Sequence, residues 1–364
     1  MPRTTEVGFS YEWDLKFGGL SLNVPFSGMK FTHTVSGFGI CGVSTGKFEF
    51  DVYDKFGQFG EALLEHMEVH LENKNNPSIT SRNYYISKRS VNNNICHFTA
   101  FDIMSNVDQE FSRSLLDRFF NRNETAPCGN VLEEIRLQCG FTSAAASASG
   151  LDLIRFTKEQ VTNRTCRAIL EDIAKAMCGV WITTRQNGIV LSCLGSSYSE
   201  SASCDKYSKI DYHGKQKITK LICINSDTGH EVEYSTGEYG TVIKIESPFS
   251  AANTALDAIV WDRIRNYIYQ AWSCKKSRIE IPGGEPFPES TAHIRFGEKT
   301  LIANNVRITP NSTGIYISAD CDPQDEEQWK YDDYLTRTKI GINEPIGNAA
   351  IKNTGRIVYI NKNK

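Results

Sequence analysis

In the segment Lys47-Phe-Glu-Phe-Asp-Val-Tyr-Asp54, apolar and charged positions alternate, with Phe48, Phe50 and Val52 on one face and Lys47, Glu49 and Asp51 on the other. A period of two predicts a strand with one wet face. Tyr84-Tyr-Ile-Ser87 and Cys96-His-Phe-Thr-Ala-Phe101 flank Asn92-Asn-Asn94. Because asparagine tolerates positive φ, this predicts a hairpin turn between two strands. Residues 60–72 fit a helical face of Ala62, Leu63, His66, Met67 and His70 or an alternating strand from His66 to Leu71. The strand is the preferred reading.

The period changes after Asp102. Val107, Phe111, Leu115 and Phe119 recur every four residues, with Asn106 and Gln109 placed as a capping box, which predicts an amphipathic helix. Val131, Leu132, Ile135 and Cys139, stopped by Gly140, predict a second helix, and the Ala/Ser run 143–150 a loop or linker. A third helix starts at Thr165, buries Ile169, Leu170, Ile173 and Met177, and closes on Gly179 as its left-handed residue. Strands 180–184 and 189–193 then pair across Asn187-Gly188. Strand patterns return at 218–224, 231–234 and 241–246. One long helix interrupts them, capped by Ser250 and running from Leu256 through Val260, Ile264, Tyr267 and Ile268 to Trp272. Further strands are expected at 277–281, 293–296, 300–303, 305–308 and 314–318. The expected organisation is a β-rich domain over 1–103, a helical insert with a hairpin over 104–212, and a second β-rich domain with one long helix over 213–323. An arm over 324–364 is too short to bury a core alone.

At ~150 residues per domain, 364 residues predict two or three domains. With 40% hydrophobic and 23% charged residues the composition is that of a soluble globular protein, which excludes collagen and disorder. Forty basic and 43 acidic side chains, interspersed and summing to −3, argue against a surface built to neutralise nucleic-acid phosphates. The start lacks the apolar core of a secretory signal, and no stretch approaches the ~20 apolar residues of a membrane-spanning helix, so a soluble chain is expected. Eleven cysteines, odd in number and never spaced C-x-x-C, read as reduced, buried small apolar residues. The glycosylation patterns at Asn123, Asn163 and Asn311 are taken as chance matches.

Several short motifs match catalytic or metal-binding patterns in part. Gly37-Phe-Gly-Ile-Cys-Gly42 matches a dinucleotide fingerprint and Gly42-Val-Ser-Thr-Gly46 a nucleophile elbow, but both need a helix next, and a strand pattern follows. His66 and His70 are spaced for a metal on a helix but lack a third ligand. Glu133 and Glu134 are adjacent, so on a helix they point ~100° apart and cannot act as a facing acid and base. Asp325, Glu326, Glu327, Asp332 and Asp333 lack the spacing of a calcium loop. No catalytic, cofactor-binding or metal site is assigned, and the chain is read as a structural protein rather than an enzyme.

The order of motifs resembles the phage tail hub family, the baseplate or tail-tip hub proteins of contractile phages, prophages and phage-tail-like bacteriocins. Phe98-Thr-Ala-Phe-Asp-Ile-Met104 running into Val107-Asp108 resembles that family's "I-T-A-Y-D-x-M…L-D" junction. The run from Arg164 through Arg167, Ile169, Leu170, Ile173, Ala174 and Gly179 to Gly188 and Leu191 is similar to its helix-plus-hairpin. Ile218-Thr-Lys-Leu221, then Glu233 to Phe249, is similar to its lead-in to a second barrel. The likeness spans roughly 40–323, with Phe101 where tyrosine is usual and an unusually large cysteine count.

The resemblance implies an α+β, mostly β fold of two tail-tube-like β-barrels with a helical insert. It implies a homotrimer that adapts a sixfold tail tube to a threefold central spike and forms part of the ejection channel. Implied partners are the tube or tube-initiator protein, the spike, and tape-measure and baseplate wedge proteins, with DNA only as passing cargo. The implied location is the virion tail, assembled in the bacterial host cytoplasm. A channel lined by neutral or acidic side chains would release such cargo. The alternative is a carbohydrate-binding or cell-wall-hydrolysing tail protein. An internal echo, Phe98–Asp102 against Tyr316–Asp320, suits duplicated barrels.

Overall fold

The computed structural model describes residues 12–18, 20–21, 26–35, 41–54, 67–122, 124–145, 148–184, 186–194, 202–204, 209–265, 267–279, 293–303, 305–321, 329–331, 349–352 and 356–359. The chain begins with strands β1 (Trp13–Phe17), β2 (Phe26–Val35), β3 (Gly42–Tyr53), β4 (Glu68–Asn73), β5 (Asn76–Thr80), β6 (Tyr84–Asn92) and β7 (Ile95–Phe101). Four of them form an antiparallel ladder in the order β2-β3-β7-β6. The alternation seen in the sequence is realised directly: Phe48, Phe50 and Val52 are buried, while Lys47, Glu49 and Asp51 line the opposite face. Asn93 and Asn94 take φ of 49° and 64°, the paired left-handed conformation of a two-residue hairpin. At Tyr84 and Tyr85 β6 hands on to β4, and β4 to β1, so the sheet rolls over its own apolar face. Phe17 of β1 then meets Phe50 and Phe98 edge-on at 5.8 and 5.9 Å, and Phe31 stacks on Phe48 at 4.2 Å. Each buried ring removes enough apolar surface from water to contribute about 1.5–3 kcal/mol.

The middle of the chain holds α1 (Cys128–Cys139), α2 (Cys166–Ala176), β8 (Gly179–Thr183) and β9 (Ile189–Cys193). Gly140, at φ 75°, ends α1 as expected. Thr165 caps α2, its hydroxyl accepting from the Ala168 N–H. β8 pairs antiparallel with β9, and its first residues pair parallel with the start of β3, which fastens this region to the first sheet.

β10 (Asp211–Asn225) is long enough to serve two sheets. Its second half pairs with β11 (Glu231–Ser235) and β12 (Thr241–Ser247), which with α3 (Thr254–Ile264) pack on the middle region. There the Ser247 hydroxyl donates to the Asp172 carbonyl at 2.9 Å, and Phe156 meets Phe249 edge-on. Its first half pairs with β13 (Ile268–Arg278), followed by β17 (Gly314–Cys321) and β16 (Asn305–Asn311), in the order β10-β13-β17-β16. The hairpin of β14 (His293–Phe296) and β15 (Lys299–Ile302) covers this second ladder. Trp272, fully buried, lies edge-on to Phe296 at 5.5 Å and donates its indole N–H to the Ile302 carbonyl.

The two ladders join. β16 pairs antiparallel with β2, from Asn305 opposite Thr34 to Ile308 opposite Phe31, so eight strands run without a break as β6-β7-β3-β2-β16-β17-β13-β10. Ile308 and Phe31 are both fully buried at this seam. The chain is therefore mostly β, but among the described residues the ladder does not return to its start, and neither expected barrel is closed.

Three expected elements differ. The helix placed over Val107–Phe119 is instead a 3-10 turn, Ile103–Asp108, a bridge from Glu110 to Thr165, and a four-residue helix, Asp117–Phe120. Of its regular apolar positions, Val107 and Phe111 are buried, Phe119 is partly buried and Leu115 is exposed, with its neighbour Leu116 taking the core position instead. The long helix capped by Ser250 is short: Asn253 is the cap, accepting from Ala255 and Leu256, and the helix stops at Ile264. Ile268 to Trp272 belong to β13, where tertiary pairing overrides helical spacing. The left-handed residue ending α2 is Cys178, at φ 44°, and Gly179 already starts β8. The preferred strand over 66–71 is realised from Glu68; residues 60–66 lie outside the described residues.

Candidate functional site

The motifs singled out in the sequence do not assemble chemistry. Gly42–Gly46 lies within β3, with no helix to expose Ser44, and 36–40 lie outside the described residues. His70 sits on a strand, half-buried, while His66 lies outside the described residues, as do 325–327 and 332–333. Glu133 forms an ion pair with Arg136 at 2.7 Å, and Glu134 accepts from the Ser114 hydroxyl and the Leu115 N–H. Among the described residues no group of three or more His, Cys, Asp or Glu side chains is placed to hold a metal ion. All eleven cysteines are free and buried, as expected. Burial alone pushes the Cys128 thiol up to about 12.

One buried polar cluster was not legible beforehand. Asp102, at the end of β7, accepts from the Thr183 hydroxyl at 2.6 Å, and Arg82 donates to the Thr183 carbonyl at 2.8 Å. His33 lies 3.4 Å from the Tyr84 hydroxyl. Burial holds the His33 imidazole well below its usual range, with the Arg82 charge acting the same way. Burial also raises the Asp102 carboxyl, opposed by Arg82 and the Thr183 hydroxyl. The cluster ties β2, β7 and β8 together. It requires Gly46, because a Cβ there would strike the His33 ring and come within 2.8 Å of Asp102 Oδ2.

The eight-strand sheet also presents one extended wet face. It carries both signs of charge. Glu49 lies 2.6 Å from Lys30 and 2.5 Å from Lys47, and Asp51 lies 2.5 Å from His97. The Asn305 amide donates to Asp320. On this face Lys30 and Lys47 are met by Glu49, and His97 by Asp51.

The two ladders are also the same arrangement twice. In each, a central hairpin with a two-residue turn, β6–β7 or β16–β17, is followed outward by two antiparallel strands, β3–β2 or β13–β10. Superposing the turns places Ala100 on Ala319 and Phe98 on Ile317, all buried. The sequence echo, which matched Phe98 to Tyr316, is therefore one residue out of step. A slip of one would put the half-buried Tyr316 on the core face. In the corrected register Gly46 corresponds to Trp272, His33 to Tyr212 and Asp102 to Cys321.

No protein family's profile matches this chain, and no curated protein sequence matches it. Among solved structures it is similar to the 43 kDa tail protein of prophage MuSo2 from Shewanella oneidensis, with a TM-score of 0.50 at 12% identity over 85% of this chain and 97% of that one. It is also similar to the prophage tail protein gp18 of Listeria monocytogenes EGD-e, with a TM-score of 0.50 at 9% identity over 87% and 96% of the two chains. The E. coli c3393 protein, a component of the type VI secretion system, gives a TM-score of 0.45 at 9% identity, over 87% of this chain and 78% of that one. At these identities the likeness is one of fold.

Proposed function

We propose that this chain, which has the fold of phage tail hub proteins, is a structural hub of a tail tip or baseplate. In this reading three copies adapt a sixfold tail tube to a threefold spike, at the virion tail. The observation that carries it is the duplicated four-strand ladder joined into one sheet. Each chain then offers two equivalent units, and three chains offer six. The wet face of the sheet lines the channel, where paired charges let DNA or a tape-measure protein pass without being held. The 1–103 and 213–323 regions are the two tube-like units, barrels completed by neighbouring copies, and 104–212 is the helical insert between them.

The test is the mass of the purified chain with its candidate tube and spike partners, together with electron microscopy of particles carrying a labelled copy. A trimer at the tail end is expected. A monomer in the presence of both partners, or label elsewhere on the particle, overturns the reading.

A further inference from the structure

Two pairs of the buried cysteines stand at the two ends of α2. Cys166 is its first residue, and Cys178 lies two residues beyond its last, Ala176. At the start of the helix, the Cys166 thiol is hydrogen-bonded to Cys139, the last residue of α1. Gln109 spans the two: its side-chain amide donates to Cys139 Sγ at 3.6 Å, and its carbonyl accepts from the Cys166 N–H at 3.1 Å. Gln109 is itself exposed, which leaves this pair close beneath the surface. At the far end, the Cys178 thiol is hydrogen-bonded to Cys41, the residue before β3. Gly42 pairs parallel with Val180, so the register puts Cys41 beside Gly179 and one residue from Cys178. Neighbouring strands lie about 4.8 Å apart, and a disulfide spans Cα separations of about 4.4–6.8 Å. Cys193 pairs with Gly179 from the opposite side of β8, two strands away from Cys41 and out of its reach.

Each pair also has one sulfur favoured as the thiolate, the reactive form. The Cys166 hydrogen bond and the Gln109 amide hold the Cys139 thiol below its usual range, and the Cys41 hydrogen bond and the Arg263 charge do the same for Cys178. By contrast, burial pushes Cys128 up to about 12 and Cys193 to about 11. We propose that Cys139–Cys166 and Cys41–Cys178 are two sites of oxidative modification, each closed to a disulfide by a peroxide. The Cys139 or Cys178 thiolate attacks one peroxide oxygen, the O–O bond breaks, and a sulfenic acid forms while the departing hydroxide takes up a proton. The Cys166 or Cys41 sulfur then displaces the sulfenic oxygen, which leaves as water with that thiol's proton. Two thiols and one hydrogen peroxide thus give one disulfide and two waters, the sulfurs supplying the two electrons. Together the links clip α2 at one end to α1 and at the other to the first sheet. The joint stays reduced where glutathione keeps thiols free and is fastened where it does not. Neither link depends on the hub reading.

In the test, the full chain is reduced, exposed to hydrogen peroxide, then unfolded, alkylated and read by intact mass and peptide mapping. Of the eleven thiols, four are expected to become unreactive, to recover on reduction and to map to the two links. The oxidised chain should unfold about 5 °C higher than the reduced one, and reductant should reverse the rise. Cys139→Ala removes the 139–166 link alone, and Cys178→Ala the 41–178 link alone; if either variant folds poorly, the map of the unaltered chain decides. Eleven thiols still reactive after peroxide, links joining other cysteines, or sulfinic acid in place of a link overturns the proposal. Formation of one link without the other overturns the unlinked pair as a site.

Discussion

The two ladders share strand order and register, yet at one equivalent spot they are filled in opposite ways. In the first, Gly46 leaves room for His33 and Asp102, whose polar cluster reaches across to Thr183 on β8. In the second, Trp272 occupies the place of Gly46, and one indole, buried and hydrogen-bonded to Ile302, closes the core. The first ladder spreads its apolar burial over Phe31, Phe48, Phe50 and Phe98; the second depends on one large ring among isoleucines. The same backbone can thus be sealed by a polar network that also holds a neighbouring region, or by volume alone.

The largest expected effect falls on the second solution. Trp272→Ala removes a fully buried indole and its hydrogen bond to the Ile302 carbonyl, costing about 3–5 kcal/mol by chemical denaturation. If it costs no more than Phe98→Leu in the first ladder, the contrast between concentrated and distributed packing is wrong. Gly46→Ala is the complementary change and costs about 1–3 kcal/mol, since the added methyl must displace His33 and Asp102. A neutral outcome would mean the polar cluster is loosely held.

A third test uses pH. His33 stays neutral in the fold because its pKa is lowered, so the unfolded chain binds more protons. Stability is lost as pH falls below about 6.5, by up to about 1.4 kcal/mol per unit. Asp102 has the opposite sign: its pKa is raised, so stability is lost as pH rises from the ordinary carboxylate range through the raised value. His33→Gln should flatten the acid limb and Asp102→Asn the other, read from urea midpoints between pH 4 and 8. The smallest effect is Glu49→Gln. It changes stability by less than about 1 kcal/mol. It also frees Lys30 and Lys47 on the wet face, so DNA retention should rise and its salt dependence steepen by about one or two counterions.

Much of the first sheet could be read in advance because one face is wet, and the alternation of Phe48, Phe50 and Val52 with charges admits one period only. The run from Leu256 to Trp272 was ambiguous for the reverse reason. Where both faces are covered, apolar positions fit helix and strand alike, and pairing with β10 and β17 decides for strand after Ile264. The polar cluster was hidden because His33, Arg82, Asp102 and Thr183 are scattered along the chain, and each alone is an unremarked polar residue in a strand or beside one. The duplication left only a faint echo, since facing positions keep burial rather than identity: glycine answers tryptophan, and aspartate answers cysteine.

The seam between β2 and β16 also sets an order of events at the ribosome. Thr32 must wait for Arg307, about 275 residues later, and at about 5–20 residues per second that is on the order of tens of seconds. Throughout that interval a nascent chain carries β2 as an open edge in a crowded cytosol. The register shift between Ser27 and Lys30, with Gly28 at φ 66° and a lysine beside it, interrupts the regular ladder there. Such a break deters premature pairing with other nascent chains while the proper partner is still being translated.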